Sequence, residues 1–588
     1  MGSGSGQRTT ASKPLTAALL CVLLAAGVCA SPIGRADADE RAALVERQAV
    51  EPVDLAADDS SLIVRFAPGV GAAKQRAIVD SVDGNAEIDR ATDLGLERTV
   101  RVEVADGDVD EILGELEADE AVVSAEPNIT FTPDATPDDP EFYRQWHLEN
   151  TGQTVGQPGV PGADIAALEA WDVRTDGFDS PIAVIDTGVD MSLPDIAPNV
   201  WKNPGESGDG RETNGIDDDN NGFVDDWRGW DFYGDDNDPT DFDGHGTMMT
   251  GAAAAAGNNG IGGSGVAWDA EVMPLKASRD TPGSDGNPIS INLLAVLQAV
   301  AYADMAGAKI VNMSFSSNSW SDAFAEAIRS RPHMLFVASA GNGNEDNDDP
   351  FDQLFPCSYP YRNVICVAAS DHKDNLAGIS ATGKRNVDLA APGLSIFTPH
   401  PIRADFPTGY VIGTGTSHAA AIVSGAAAVV RSHFEAGNGS EPSVPFLRAR
   451  LLNNVDRRPA FELTTASKGR LNLHSALVAP PKAVLGRTIK PKPKKVKAGG
   501  RGAVRVVVES NGDIPLTGIE VCGKASKKFV KSIGCKKRGT LAIGKTVKRD
   551  LRVKLKKKAR PGRVIQVKVK LRADGIGWKS KIVRVKVR

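Results

Sequence analysis

The chain has 588 residues, six cysteines and a formal net charge of −9. At roughly 150 residues per domain, such a length calls for three or four units rather than one core. No CxxC, HExxH or phosphate-loop pattern occurs, so redox, zinc and nucleotide chemistry have no basis in the sequence. The charge is split: from Arg487 to Arg588 there are 33 Lys and Arg against 5 Asp and Glu, a net +28 that leaves −37 for the remainder. Two bodies of opposite charge imply different partners.

Residues 1–30 carry Arg8 and Lys13, an apolar run from Leu15 to Val28, and then Val-Cys-Ala. This is the pattern of a signal peptide cut after Ala30, and about 14 apolar residues fall short of the roughly 20 that a membrane span requires. Export is expected, with no membrane span after cleavage. Four cysteines remain in an oxidising compartment, and the natural pairing is two local disulfides, Cys357 with Cys366 and Cys522 with Cys535. Four buried thiols are the alternative.

Residues 31–59 are rich in Ala, Asp and Glu without a period and read as a flexible leader. From 60 to 132, "SLIVRFAPG", "TVRVEVADG" and "VVSAEPNITF" alternate like strands, whereas "AAKQRAIVDSV" and "VDEILGELEA" repeat at helical spacing. A small α+β unit is predicted. "TPDATPDDPE" then interrupts regular structure, as a linker or processing site would.

From about Gln145 to Val478 the strands become continuously apolar, as in "IAVID", "KIVNMSF", "MLFVASAG" and "NVICVAAS", and alternate with helical segments. Strands apolar on both faces suit a parallel sheet covered by helices on each side, so an α/β domain of three layers is expected over 138–480. Leu293, Val296, Leu297 and Val300 mark one covering helix, closed near Gly307. After "APPKAVLGRTIKPKPKK" the period drops to two. "GAVRVVVES", "RDLRVKLKKK", "VIQVKVKLRA" and "KIVRVKVR" predict an all-β sandwich over 486–588, with "SNGD" and "ADGIG" as turns.

Three segments carry the chemistry. "IAVIDTGVD" puts Asp186 at the carboxyl end of a buried strand, where open α/β sheets hold their ligands. "DFDGHGTMMTG" puts His245 between glycines that permit close approach, and "GTGTSHAAAIVSG" puts Ser417 at the start of a helix whose free amides favour an oxyanion. Singly these are a turn residue, a loop histidine and a helix cap. Together, in the order Asp, His, Ser, the blocks "VIDTGVD", "GHGTMMTG" and "GTSHAAAIVSG" resemble those of the subtilisin-like serine proteases, an order of triad residues for which that family is the worked example. "FVASAGNGN" is similar to the family's oxyanion block.

The resemblance implies that Asp186 orients, His245 acts as base and then acid, Ser417 attacks, and Asn342 donates to the tetrahedral oxyanion. It implies that backbone at Ser314, Phe315, Ser316, Ser339, Ala340 and Gly341 lines the subsites for a protein or peptide substrate. Ala421 stands where the family has proline and Ser316 where it has glycine, which puts pocket shape and efficiency in question rather than mechanism. It also implies that 60–132 is an inhibitory, chaperone-like propeptide, removed by a cut between about Pro133 and Asp138. Slow folding of parallel sheets gives a physical reason for such a template.

"NGIDDDNNGFVDD" spaces Asp217, Asp219, Asn221 and Asp225 around Gly222 so that alternate side-chain oxygens can surround one hard cation, a structural Ca2+. An acidic solvated loop is the bland alternative. By the resemblance, a second calcium site falls on Asp139, Asp195 and Asn259. The expected protein is a secreted monomeric endopeptidase with no specific nucleic-acid partner, whose basic tail either forms a solvated face or docks on an anionic cell-envelope polymer. Two rivals remain: a catalytically silent surface-binding protein on the same scaffold, and an α/β-hydrolase esterase using Ser417, Asp456 and His474.

Overall fold

A computed structural model describes residues 61–588 apart from 83–86, 90–97, 104–108, 128–135, 178–179, 282–289 and 493–494. The expected signal peptide, the leader and the first half of the expected maturation segment, 133–135, lie outside the described residues. Contacts divide the chain into two units, meeting between Phe131 and Thr132.

In the first unit, strands β1 (Ser61–Phe66), β2 (Glu87–Asp89), β3 (Thr99–Glu103) and β4 (Val122–Pro127) pair antiparallel in the order β2-β3-β1-β4. Leu62, Val64 and Phe66 alternate inward along β1 and meet Ile78 and Val79 of the helix Ala72–Val82, and Ile112 and Leu116 of the helix Val109–Ala118. The period-two and helical patterns thus bury one common face.

The second unit opens with a short hairpin, β5 (Thr154–Val155) and β6 (Gln157–Pro158), followed by the main sheet. Its strands are β7 (Ile182–Asp186), β8 (Trp230–Asp231), β9 (Val272–Lys276), β10 (Ile310–Met313), β11 (Leu335–Ser339), β12 (Val364–Ser370) and β13 (Leu389–Pro392). A side ribbon, β14 (Ile396–Pro399) and β15 (Tyr410–Gly413), precedes β16 (Asp456–Arg457) and β17 (Gly469–Arg470). The order is β16-β17-β13-β12-β11-β10-β7-β9-β8, parallel everywhere except for β16 against β17.

Every residue of β7 is buried, and the pleat divides them between two cores. Ile182 and Val184 pack with the helices His245–Ala254 and Thr416–Asn438, whereas Ala183 and Ile185 pack with the helices Leu293–Met305 and Asp322–Arg329. This is the expected layered arrangement, and the pleat assigns Asp186 to the face of the first helix pair. The predicted stripe on Leu293–Met305 is shifted: Ala295, Val296, Ala299 and Val300 are buried, but Leu293 is 47% exposed. The helix ends at Met305, and Gly307, two residues on, has a φ of +86°. A disulfide joins Cys357 to Cys366 in β12.

The tail belongs to the same unit. One sheet runs β18 (Leu485–Lys492), β20 (Arg501–Ser510), β24 (Thr546–Leu555) and β22 (Val530–Ser532). The other runs β19 (Lys495–Val496), β26 (Ile576–Val587), β25 (Val564–Ala573), β21 (Ile519–Ala525) and β23 (Cys535–Arg538). Val504, Val506 and Val508 of the first meet Val567, Val569 and Leu571 of the second in one core. Cys522 and Cys535 face each other across β21 and β23 and are bonded. Leu485–Lys492, which precedes the stretch where the period-two pattern sets in, is an edge strand paired along its length with β20, a place where Pro491 is tolerated. Among the described residues, no helix is long and apolar enough to cross a membrane.

Candidate active site

Asp186 ends β7 with 1% of its surface exposed. Its Oδ1 accepts from the Thr187 N–H at 2.8 Å and lies 2.7 Å from His245 Nδ1. The two residues approach because the chain around them is stripped of side chains. A Cβ at Gly246 would sit 2.1 Å from the Gly188 carbonyl, and Gly244, at φ +109°, would direct one to within 2.3 Å of His400 Nε2.

A carboxylate that sequence reasoning overlooked, Asp241, fixes the loop bearing the histidine. Its oxygens accept from the Thr187 hydroxyl, the Gly244 and Thr247 amides and the Thr247 hydroxyl. Burial opposes a charge on His245. Asp186, through its charge and hydrogen bond, and then Asp243 and Asp241 outweigh it and raise the imidazole to about 9.

Ser417 occupies the first turn of the helix Thr416–Asn438, where backbone N–H groups have no partner within the helix. Its Oγ donates to the Ser314 carbonyl at 3.0 Å, and no hydrogen bond joins it to His245 among the described residues. Such contacts commonly form only when substrate is bound. The adjoining His418 is buried, and burial followed by the neighbouring His245 and His147 holds it down to about 3, so it adds no charge behind the serine.

Asn342 follows the buried turn Ser339-Ala340-Gly341 at the end of β11. Its Oδ1 accepts from the Thr416 amide at 2.8 Å and the Thr416 hydroxyl at 2.9 Å. With the oxygen so held, the Asn342 NH2 is the free end. The Thr416 hydroxyl in turn accepts from the Gly341 N–H at 3.1 Å. Thr416 thus holds Asn342 in place, a contact that sequence reasoning missed, although the residue stands next to the serine in "GTS". Ser314, Phe315 and Ser316 leave β10, and Ser339, Ala340 and Gly341 leave β11. The two strands are parallel neighbours, so both segments emerge at one edge of the sheet. Ser316 is exposed and Ala421 is fully buried. The esterase alternative finds no support at Asp456, whose carboxylate is taken up by Arg470 and Asn472.

The acidic insertion folds differently from its spacing. Asp217 and Asp219 gather with Glu206, their oxygens all within 4.8 Å of one another. Glu206 is completely buried, its Oε1 accepts from the Asp218 and Asp219 amides, and its Oε2 has no hydrogen-bond partner among the described residues. Burial, and then the charges of Asp226 and Asp219, raise its pKa. Asn221 links Asp219 to Asp226 through its amide. Asp225, expected beside them, turns both oxygens to the Gly215 N–H at 3.0 Å, because its backbone is left-handed (φ +55°). A hard divalent cation fits a set of oxygens that includes an orphaned buried carboxylate oxygen.

Asp139, Asp195 and Asn259 also meet. Here the chain's own donors close the network: Asn258 and Asn259 amides on Asp139, and Asn259 Nδ2, Tyr410 and the Gly263 amide on Asp195.

A profile described as the subtilase family matches residues 179–475, just over half of the chain. Thermitase of Thermoactinomyces vulgaris is 30% identical over 315 residues, 53% of this chain and 93% of its own length. The thermophilic serine proteinase of Bacillus sp. (strain AK1) is 28% identical over 428 residues, covering 71% of this chain and 86% of its own. The extracellular basic protease of Dichelobacter nodosus is 29% identical over 339 residues, 53% of this chain and 52% of its own. The chain belongs to the subtilase family and is a subtilisin-like serine endopeptidase.

Proposed function

We propose that the protein is an exported, calcium-stabilised endopeptidase that works through Asp186, His245 and Ser417 and is made as a self-processing zymogen. The observation that carries this reading is the 2.7 Å contact of Asp186 with His245 Nδ1, beside a helix start that offers Ser417 and an oriented Asn342.

With Nδ1 given to Asp186, His245 Nε2 is the base. Ser417 Oγ leaves the Ser314 carbonyl, passes its proton to Nε2 and attacks the scissile carbonyl carbon. The oxyanion is stabilised by the Ser417 N–H and the Asn342 amide, and Asp186 stabilises the imidazolium. That proton goes to the leaving amine, and an acyl-enzyme remains. A water then loses its proton to His245 and attacks the ester, releasing the acid and restoring Ser417.

Calcium would be held by Glu206, Asp217 and Asp219, where it would offset the mutual repulsion of carboxylates and stabilise the fold. The α+β unit would act as the intramolecular inhibitor, cut off between about Pro133 and Asp138. Export is supported by the sequence of residues 1–30 and by the two disulfides.

The test is Ser417→Ala. It is expected to fold and be exported, yet to lose labelling by a fluorophosphonate, peptide hydrolysis and self-maturation. A variant that still matures in a host lacking other proteases would overturn the assignment. Added as a separate chain, residues 60–132 are expected to inhibit the mature enzyme at micromolar concentration, and absence of inhibition would remove the propeptide reading.

A further inference from the structure

The basic tail is fastened to the catalytic domain by its few acids. Glu509 pairs with Arg362, and Asp513 with Arg450. Glu520 and Asp550 pair within the tail, with Arg572 and Arg505. Four of the five carboxylates of 487–588 are therefore matched, two of them at the joint, and the excess of cations falls on the outward faces of the sandwich.

The two outward faces differ. Each carries one ion pair among its cations, Arg505–Asp550 on the sheet containing β20 and β24 and Glu520–Arg572 on the sheet containing β21 and β25. On the sheet containing β21, β25 and β26, the pleat turns Lys568 and Lys570 to the outward face that also carries Arg584 and Lys586 further along β26, and Lys524 stands directly opposite Lys568. Like charges also meet in register on the other sheet, Lys490 with Arg505 and Arg501 with Lys554, so what sets this face apart is its exposed apolar groups. Trp578 lies on the same face, 45% exposed, with Lys570 and Arg572 over its ring at 6.0 and 4.9 Å. Ile582, opposite Lys568, is 56% exposed.

We infer that this face, centred on Lys568, Lys570, Arg584 and Trp578, is a docking surface for a linear acidic polysaccharide of the cell surface. The cations match repeated anionic groups along a chain, and the indole offers an apolar plane for a sugar ring. Nucleic acid fits less well. The tail contains no helix among its described residues to enter a major groove, and Trp578 and Phe529 are its only aromatic residues, too few for a series of stacked bases. A protease held this way would act at the surface that binds it.

The experiment uses the full chain carrying Ser417→Ala, to prevent self-digestion, on immobilised polygalacturonate, neutral dextran and single-stranded oligo(dT). Retention is expected on polygalacturonate and not on dextran, with elution by salt, because exposed charges are screened beyond about 8 Å at physiological ionic strength. Lys568→Gln, Lys570→Gln and Arg584→Gln together should weaken binding about tenfold, as expected for three exposed ion pairs. Trp578→Ala should weaken it as well. Lys490→Gln, Lys548→Gln and Arg552→Gln, an equal charge change on the other sheet, should leave it nearly unchanged. Equal losses in the two triple variants would reduce the surface to diffuse charge and overturn the proposal. So would tighter binding to oligo(dT), or no retention on polygalacturonate.

Discussion

Arg450 and Asp513 form a buried ion pair, 2.8 Å apart with 2% and 3% of their surfaces exposed, that joins the helix Val444–Asn453 to the β-sandwich. Arg450 also donates to the carbonyls of Ala476, Leu477 and Ala479. Removing one member of such a pair leaves the other charged in a dry environment. Asp513→Ala is expected to cost about 3–5 kcal/mol. Denaturant melts of the full chain should show the loss, together with a separate, earlier transition for the tail. A single unshifted transition would mean that the pair does not couple the two domains.

Thr416 presents Asn342 by holding its oxygen. Thr416→Val keeps the shape and removes the hydroxyl, so kcat is expected to fall roughly tenfold with little change in KM. Asn342→Ala should cost the larger factor, about 100- to 1000-fold, of losing an oxyanion donor. Thr416→Ser should restore the wild-type rate, whereas a purely structural role would be read as a change in stability instead.

The acids around His245 raise its pKa to about 9 against the opposing effect of burial. If the neutral imidazole is the base, as proposed, kcat/KM should climb from neutral into alkaline pH. Asp243→Asn removes one of the raising charges and should move that limb to lower pH, as read from the pH profile of peptide hydrolysis. The sign for stability is opposite. A proton bound more tightly in the folded state stabilises fully below pH 6.5, and its contribution is lost as pH rises through about 9.

If calcium binds the native cluster alone, saturating the site about 100-fold above Kd should add about 2.7 kcal/mol, and a chelator should remove it. Glu206→Gln and Asp219→Ala should blunt the rise in Tm. Asp225→Asn should keep it, since both carboxylate oxygens of Asp225 face the Gly215 amide. A response lost in Asp225→Asn and kept in Glu206→Gln would restore the arrangement suggested by spacing.

Sequence alone carried the features that local chemistry decides. Apolar runs such as "IAVID" read as buried parallel strands, valines alternating with lysines read as a two-layer sandwich, and cysteines nine and thirteen residues apart lie close enough to pair. Asp186, His245 and Ser417, each ordinary by itself, stood out because their three blocks, in that order, resemble those of the subtilisin-like serine proteases. What the tertiary structure decided are partnerships between distant segments. Glu206 lies outside the acidic repeat and joins it only when the loop folds back, and an αL backbone turns Asp225 the other way. Leu485–Lys492 became a strand because β20 offered an edge that tolerates proline. Arg450 found Asp513 63 residues along the chain, where no period in the sequence could mark it. Periodicity reports which face of an element is buried, but which charged groups share that burial depends on how the elements pack.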